Sequence, residues 1–129
     1  MIVGDKAAKG FISDEKYWEG FQKNIGKPVP KNAVQIAQDI YRDTFVFIPG
    51  MFDLVKKIKA KGIKTAVLSD IFKFEADVIR EKNGYDEFDP VILSYEVGMK
   101  KPDLEIYLLA IEKLQVKPEE IFYQLKDWE

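Results

Sequence analysis

Three side chains that can do chemistry stand close to two apolar runs of the chain. Ser69 and Asp70 directly follow the run 65–68, and Lys101 lies about 30 residues further on, in the segment 94–103. A hydroxyl or backbone amide beside a lysine binds oxyanions, phosphate above all, because both donate hydrogen bonds and the ammonium adds positive charge. We therefore take these residues as candidates for an anion-binding site.

Two predicted strands would bring these groups together. Residues 63–68 and 90–93 are short apolar runs typical of parallel sheets, and a helix is predicted over 72–81 between them. Strands that alternate with helices form parallel βαβ units, whose carboxyl ends meet at one edge of the sheet. We therefore expect Ser69 and Lys101 to emerge at the same edge. The alternative is that Ser69 closes a turn and Lys101 is an ordinary surface lysine.

The remaining pattern predicts helices around this sheet and a third strand that begins at 121–123. Further helices are expected from Ser13 to Ile25, over 32–42, from Met51 to Gly62 and over 104–114. The positions expected to face inward are Tyr17, Trp18, Phe21 and Ile25 in the first of these helices, Ala33, Ile36, Ala37 and Ile40 in the second, Met51, Leu54, Val55 and Ile58 in the third, and Leu104, Tyr107, Leu108, Ile111 and Leu114 in the fourth.

Composition excludes several classes of chemistry. The 129-residue chain has no cysteine and no histidine, so thiolate nucleophiles, disulfides and imidazole bases are excluded. Its formal net charge of −2 argues against a nucleic-acid partner or an anionic membrane surface. No segment approaches the roughly 20 apolar residues of a membrane span, and no signal peptide is visible. We therefore expect a cytoplasmic protein.

Two motifs resemble those of the haloacid dehalogenase (HAD) superfamily of hydrolases. They are residues 67–70 (Val-Leu-Ser-Asp) and 98–103 (Gly-Met-Lys-Lys-Pro-Asp), and the similarity extends over about residues 8–122. The resemblance implies an α/β fold with a partial Rossmann-like, HAD-like parallel sheet. It divides the chain into a partial helical cap segment over 1–47 and a partial core over 48–129.

The resemblance also implies roles for the candidate residues. Lys101 matches the catalytic lysine, which stabilises the nucleophile and the transferring group, and Lys100 is a less favoured substitute. Ser69 matches the residue that binds the phosphate. Asp70, where relatives often carry asparagine or another small polar residue, is the second substrate-binding candidate. The implied partner is a small phosphorylated molecule or another anion.

Two parts of the family pattern have no counterpart in this sequence. The family's aspartate nucleophile lies in an apolar strand followed by Asp-x-Asp-Gly-Thr, and the nearest segment, around Asp5, lacks each of these features. The acidic pair that helps to hold Mg²⁺ is also missing, since Asp127 and Glu129 are expected to be polar tail residues. Mg²⁺ is the cofactor that the resemblance implies, although its main ligands are absent from this chain.

Three hypotheses about function follow. The first is a truncated HAD-like hydrolase, whose parent is a phosphatase that acts on a small phosphorylated metabolite through an aspartyl-phosphate; the chain alone is expected to be inactive. The alternative is a catalytically inactive interaction module that associates through exposed strand edges, for example as a homodimer. The third is a receiver-like domain in which Asp70 accepts the phosphoryl group and Lys101 assists.

Overall fold

The computed structural model describes residues 2–123, which form helices packed around a small parallel sheet. In chain order the elements are α1 (Val3–Ala8), α2 (Asp14–Ile25), α3 (Ala33–Thr44), α4 (Met51–Ala60), β1 (Val67–Ser69), α5 (Lys73–Glu81), β2 (Val91–Leu93), α6 (Ser94–Val97) and α7 (Leu104–Leu114), followed by a 3-10 turn at Pro118–Glu120. Within this range no helix has the length and apolar character needed to cross a membrane. Asp127 and Glu129 lie outside the described residues.

The predicted βαβ unit is confirmed. Strands β1 and β2 pair in parallel, with Val67 opposite Val91, and α5 connects them. Both strands are shorter than predicted because Pro90 has no N–H to continue the ladder. The amide of Asp89 donates to the carbonyl of Thr65 instead, at 2.8 Å.

The predicted third strand at 121–123 is wrong. The sheet in the described part of the chain has two strands, and residues 121–123 pair with neither of them. Phe122 is 90% exposed. An apolar run forms a strand only where a neighbouring strand supplies hydrogen bonds, and these residues have no such neighbour within residues 2–123.

Both faces of β2 are buried, since Ile92 and Leu93 point to opposite faces and are almost fully buried, and one core cluster lies on the Leu93 side. It is a cluster of buried side chains, with aromatic side chains from the segment after α3 packed against it; the buried members are Ile71, Ala76, Ile79 and Leu93. The apolar run before Ser69 predicts burial on both faces, but Val67 and Leu68 are only half-buried and Ala66 is exposed. The described residues therefore cover both faces of β1 only in part.

Helix α3 buries only part of its predicted inner face, of which Ala33 is buried as predicted. Ile36 and Ile40 are exposed, whereas Tyr41 packs against the core. The reason is that α3 packs against α5, and the side-chain amide of Gln38 donates to the carbonyl of Phe74 there at 3.2 Å. The residues that face α5 therefore include polar ones, which an apolar stripe does not reveal.

Helices α4 and α7 also expose part of their predicted inner faces. Val55 of α4 is buried as predicted, and Ile106 of α7 is fully buried although it was outside the predicted stripe. Four predicted inward residues are exposed: Met51, Leu54, Leu104 and Leu108. Their periodicity is that of a buried face, but the described residues leave that face open.

Helices α1 to α3 form the segment predicted as a cap. The limits of α2 agree with the sequence, since the Ser13 hydroxyl accepts from the amide of Lys16 and Gly26 closes the helix with a left-handed φ of 66°. The Asp14 carboxylate accepts from the amide of Phe74 in α5, at 3.0 Å. The helical segment is thus attached to the core through α5, while the division at residues 47 and 48 stays a prediction.

Candidate functional site

Ser69 and Asp70 stand at the carboxyl end of β1. Ser69 closes the strand opposite Leu93 of β2 and is half-buried, and Asp70 follows it in an exposed position. One carboxylate oxygen of Asp70 accepts a hydrogen bond from the backbone amide of Lys101, with an N–Oδ1 distance of 3.0 Å. This bond joins the end of β1 directly to the loop that carries the candidate lysine.

The Lys101 side chain reaches the same end of β1. Its Nζ lies 3.5 Å from the carbonyl oxygen of Leu68, which is long for a hydrogen bond but close enough for electrostatic attraction. That carbonyl faces away from β2, because alternate residues of a parallel strand bond to one neighbour and Val67 supplies the bond to β2 by donating to Pro90. The ammonium group therefore lies at the edge of β1 that pairs with no strand within residues 2–123, which we call the free edge of β1.

The structure thus places Lys101 at the end of β1, the strand that Ser69 closes and that Asp70 follows. Ser69 offers a hydroxyl donor, Lys101 an ammonium donor, and Asp70 holds the Lys101 backbone with one of its oxygens. An oxyanion at this edge would meet two donors and one positive charge. Their roles in binding and catalysis stay predictions.

Ser94 is a buried residue that sequence reasoning missed. It begins α6 directly after β2 and is fully buried. Its Oγ accepts from the amide of Ile71 at 3.0 Å and donates to the carbonyl of the same residue at 3.3 Å. These hydrogen bonds join the residue after Asp70 to the end of β2, so Ser94 helps to hold the backbone next to the candidate site in place. The available signal was its position after the second strand, which matches that of Ser69 after the first.

Two ion pairs connect α1 to the loop around Lys101. The Asp5 carboxylate lies 2.5 Å from the Lys100 ammonium, and the Lys9 ammonium lies 2.8 Å from the Asp103 carboxylate. Hydrogen bonding to Asp5 raises the pKa of Lys100, and hydrogen bonding to Lys9 lowers the pKa of Asp103. Lys100, the less favoured catalytic candidate, is thus engaged by Asp5. Sequence reasoning missed these pairs, because partners as much as 95 positions apart carry no local signal.

Comparison with known proteins decides the family. The model of the haloacid dehalogenase-like hydrolases matches residues 6–123, which include both motifs described above. This chain belongs to that family. The resemblance over residues 8–122 is thereby confirmed, and so is the partial Rossmann-like α/β fold, since solved HAD enzymes share it. The match gives no support to a receiver-like domain.

Individual HAD proteins are similar over most of this chain. A HAD family enzyme from Bacteroides thetaiotaomicron, solved with magnesium and inorganic phosphate, has a TM-score of 0.70 and 26% identity, over 89% of this chain and 60% of that one. The phosphorylated carbohydrates phosphatase of Thermotoga maritima is 29% identical, over 77% of this chain and 44% of its own length. The glyceraldehyde 3-phosphate phosphatase of Methanopyrus kandleri is 26% identical, over 84% of this chain and 48% of its own length. The chain spans less than half the length of these two phosphatases.

The described residues do not by themselves fit a magnesium site. A HAD enzyme solved as a magnesium complex supports Mg²⁺ for the family. Within residues 2–123, however, no three acidic side chains are grouped so that they could hold a metal ion. Three carboxylates at the lysine loop are engaged by nitrogen donors, since Asp70 accepts from the Lys101 amide, Asp103 pairs with Lys9 and Asp5 pairs with Lys100. We therefore assign no metal ligand among residues 2–123.

Proposed function

We propose that this chain provides the anion-binding part of a HAD phosphatase that acts on a small phosphorylated metabolite. Ser69 and Lys101 bind the phosphate group of the substrate, and Asp70 holds the lysine loop in place. The carboxylate nucleophile comes from a segment outside this chain, so the chain alone has no turnover. Two phosphatases named for phosphorylated sugars or a triose phosphate support the substrate class by their similarity.

One observation carries the proposal. The Lys101 ammonium lies at the free edge of β1, 3.5 Å from the Leu68 carbonyl and at the strand end where Ser69 stands. A strand paired at that edge would bring its own carboxyl end beside both donors. A nucleophilic carboxylate at such a position would face a phosphate held by Ser69 and Lys101.

The chemistry that the resemblance implies proceeds in two steps. The carboxylate oxygen attacks phosphorus, the bond from phosphorus to the substrate oxygen breaks, and the substrate leaves as an alcohol after it takes up a proton. Water then hydrolyses the aspartyl-phosphate to free phosphate and the carboxylate. In both steps negative charge develops on the phosphoryl oxygens, and the Lys101 ammonium and the Ser69 hydroxyl would stabilise it.

Titration with inorganic phosphate tests the anion site on the 129-residue chain itself. The backbone amide resonances of Ser69, Asp70 and Lys101 are expected to shift together and to saturate. Binding should be weak because a single cation supplies most of the attraction. Lys101→Met keeps the length of the side chain but removes its charge, and Ser69→Ala removes the hydroxyl. Both variants are expected to weaken the binding of phosphate.

The matched control is Lys59→Met, which makes the same chemical change at a lysine paired with Glu87 on another part of the surface. It should titrate like the unmodified chain. If Lys101→Met and Lys59→Met give identical titrations, the assignment of Lys101 to phosphate binding fails.

The free edge of β1 and the exposed apolar side chains also favour a second candidate function, association with another protein or a second copy of the chain. Leu68 offers its backbone groups at an edge that pairs with no strand among residues 2–123, and Leu104 is 66% exposed. Unpaired edges and exposed apolar side chains favour association. Light scattering at rising protein concentration should then show a mass above 14.9 kDa. A constant monomer mass would contradict self-association.

A further inference from the structure

Helix α1 and its end form ion pairs with the loop that carries Lys101, one before Lys101 in the sequence and one after it. Lys100 precedes Lys101 and pairs with Asp5; Asp103 follows it after Pro102 and pairs with Lys9. We call these two ion pairs the α1 latch. Asp5 and Lys9 are four residues apart at α1, a spacing that places side chains on one face of a helix. In one pair the acid belongs to α1, and in the other the acid belongs to the loop. The two pairs therefore favour one position of the loop on that face and one chain direction.

Close packing next to the latch leaves little room for the loop to move. A side chain at Gly10, just after α1, would overlap the carbonyl oxygen of Tyr95 in α6. A Cβ at Gly98, where α6 ends with a left-handed φ of 71°, would lie 3.3 Å from the ring of Phe11. The chain that leaves α1 therefore packs against the turn that begins the lysine loop.

On its other side the loop is fastened to the sheet. The Lys101 amide donates to Asp70 at the end of β1, 3.0 Å away. The lysine loop is thus held between the end of β1 and the face of α1. The two ion pairs join α1 and its end to Lys100 and Asp103, on either side of Lys101, so they are contacts that can transmit a displacement of α1 to the Lys101 side chain.

We propose that Asp5 and Lys9 are positioning residues that hold the Lys101 ammonium at the carboxyl end of β1. This inference rests on the proposed phosphate site, since it assigns two residues that set the geometry of that site. Because α1 opens the helical segment predicted as a cap, the latch makes the placement of Lys101 depend on the placement of that segment.

Two substitutions of opposite charge separate positioning from simple electrostatics. Asp5→Asn removes a negative charge near the site, and Lys9→Gln removes a positive one. If the latch positions Lys101, both variants should weaken the binding of inorganic phosphate by about two- to fivefold, the range expected from the loss of one exposed ion pair. The double variant Asp5→Lys with Lys100→Asp keeps this ion pair with its charges exchanged. It should recover most of the lost affinity for phosphate. The control Lys59→Gln, which breaks the pair with Glu87, should have no effect.

If charge alone matters, Asp5→Asn will bind phosphate more tightly while Lys9→Gln binds it more weakly, and this result would overturn the proposal. A second readout does not depend on phosphate. Both latch variants, but not Lys59→Gln, should shift the amide resonances of Lys101 and Asp70 in the free protein. If those resonances stay unchanged in both variants, the latch does not position Lys101. Absence of phosphate binding by the unmodified chain would instead count against the proposed function, and the amide resonances would still decide the latch.

Discussion

Replacing Lys101 with methionine is expected to lower kcat/KM of the proposed phosphatase by roughly 100- to 1000-fold, the usual cost of losing one preorganised group that stabilises transition-state charge. The ammonium stands at the carboxyl end of β1 beside Ser69, where the phosphoryl oxygens would gain charge. Methionine keeps the length of the side chain and removes only the charge. The measurement is the release of inorganic phosphate from a small phosphate ester by a longer chain that includes these 129 residues and the nucleophile segment.

The neighbouring lysine provides the matched control. Lys100 carries the same charge one residue away, but its ammonium is bound to Asp5 in α1. Lys100→Met should therefore cost only the few-fold loss expected from weakening the α1 latch. A larger loss of kcat/KM in Lys100→Met than in Lys101→Met would mean that Lys100, and not Lys101, is the catalytic lysine. Turnover by the 129-residue chain that survives Lys101→Ala would contradict the role altogether.

The features that could be predicted from the sequence are those with local causes. The limits of α2 follow from Ser13 and Gly26, because a hydroxyl that caps free amides and a residue that adopts a left-handed φ act within one turn of the helix. The pairing of β1 with β2 follows from two apolar runs separated by a helix. The approach of the Lys101 loop to the end of β1 follows in turn from parallel pairing, because the carboxyl ends of both strands lie at one edge of the sheet.

The features that could not be predicted depend on partners distant in the sequence. Apolar periodicity identifies an apolar stripe on a helix, but it does not tell whether another element of the fold packs against that stripe. Leu104 therefore has the spacing of a core residue and is exposed, while Ile106 is outside the stripe and buried. The ion pair of Asp5 with Lys100 could not be predicted for the same reason, because a charge on a helix and one on a distant loop become partners only through the fold.

The site and the core are connected through the end of β2. Leu93 lies opposite Ser69 in the sheet and belongs to the buried cluster, and Ser94 directly after it bonds to both backbone groups of Ile71. The proposed anion-binding edge therefore adjoins fully buried residues, whereas the lysine loop is held by the two ion pairs and by the hydrogen bond from the Lys101 amide to Asp70. A substitution in the core should act on stability, and one in the latch on the position of Lys101.

Leu93→Ala is expected to lower the free energy of unfolding by about 2–5 kcal/mol. The Leu93 side chain is fully buried and packs in the cluster with Ile71, Ala76 and Ile79. Truncation removes apolar contacts and leaves a cavity that surrounding side chains fill only in part. Urea unfolding followed by circular dichroism measures the loss. A domain of this kind has only about 5–15 kcal/mol in total, so the variant should unfold at a clearly lower urea concentration.

Leu104→Ala makes the same substitution at a residue that is 66% exposed. Its loss should stay within about 0.5 kcal/mol, as for most surface substitutions, because little apolar area is withdrawn from water there. Equal losses in the two variants would mean that Leu104 is covered in solution, by a second copy of the chain or another partner. In that case the unfolding midpoint of the parent chain should rise with protein concentration, because association stabilises the folded state by mass action.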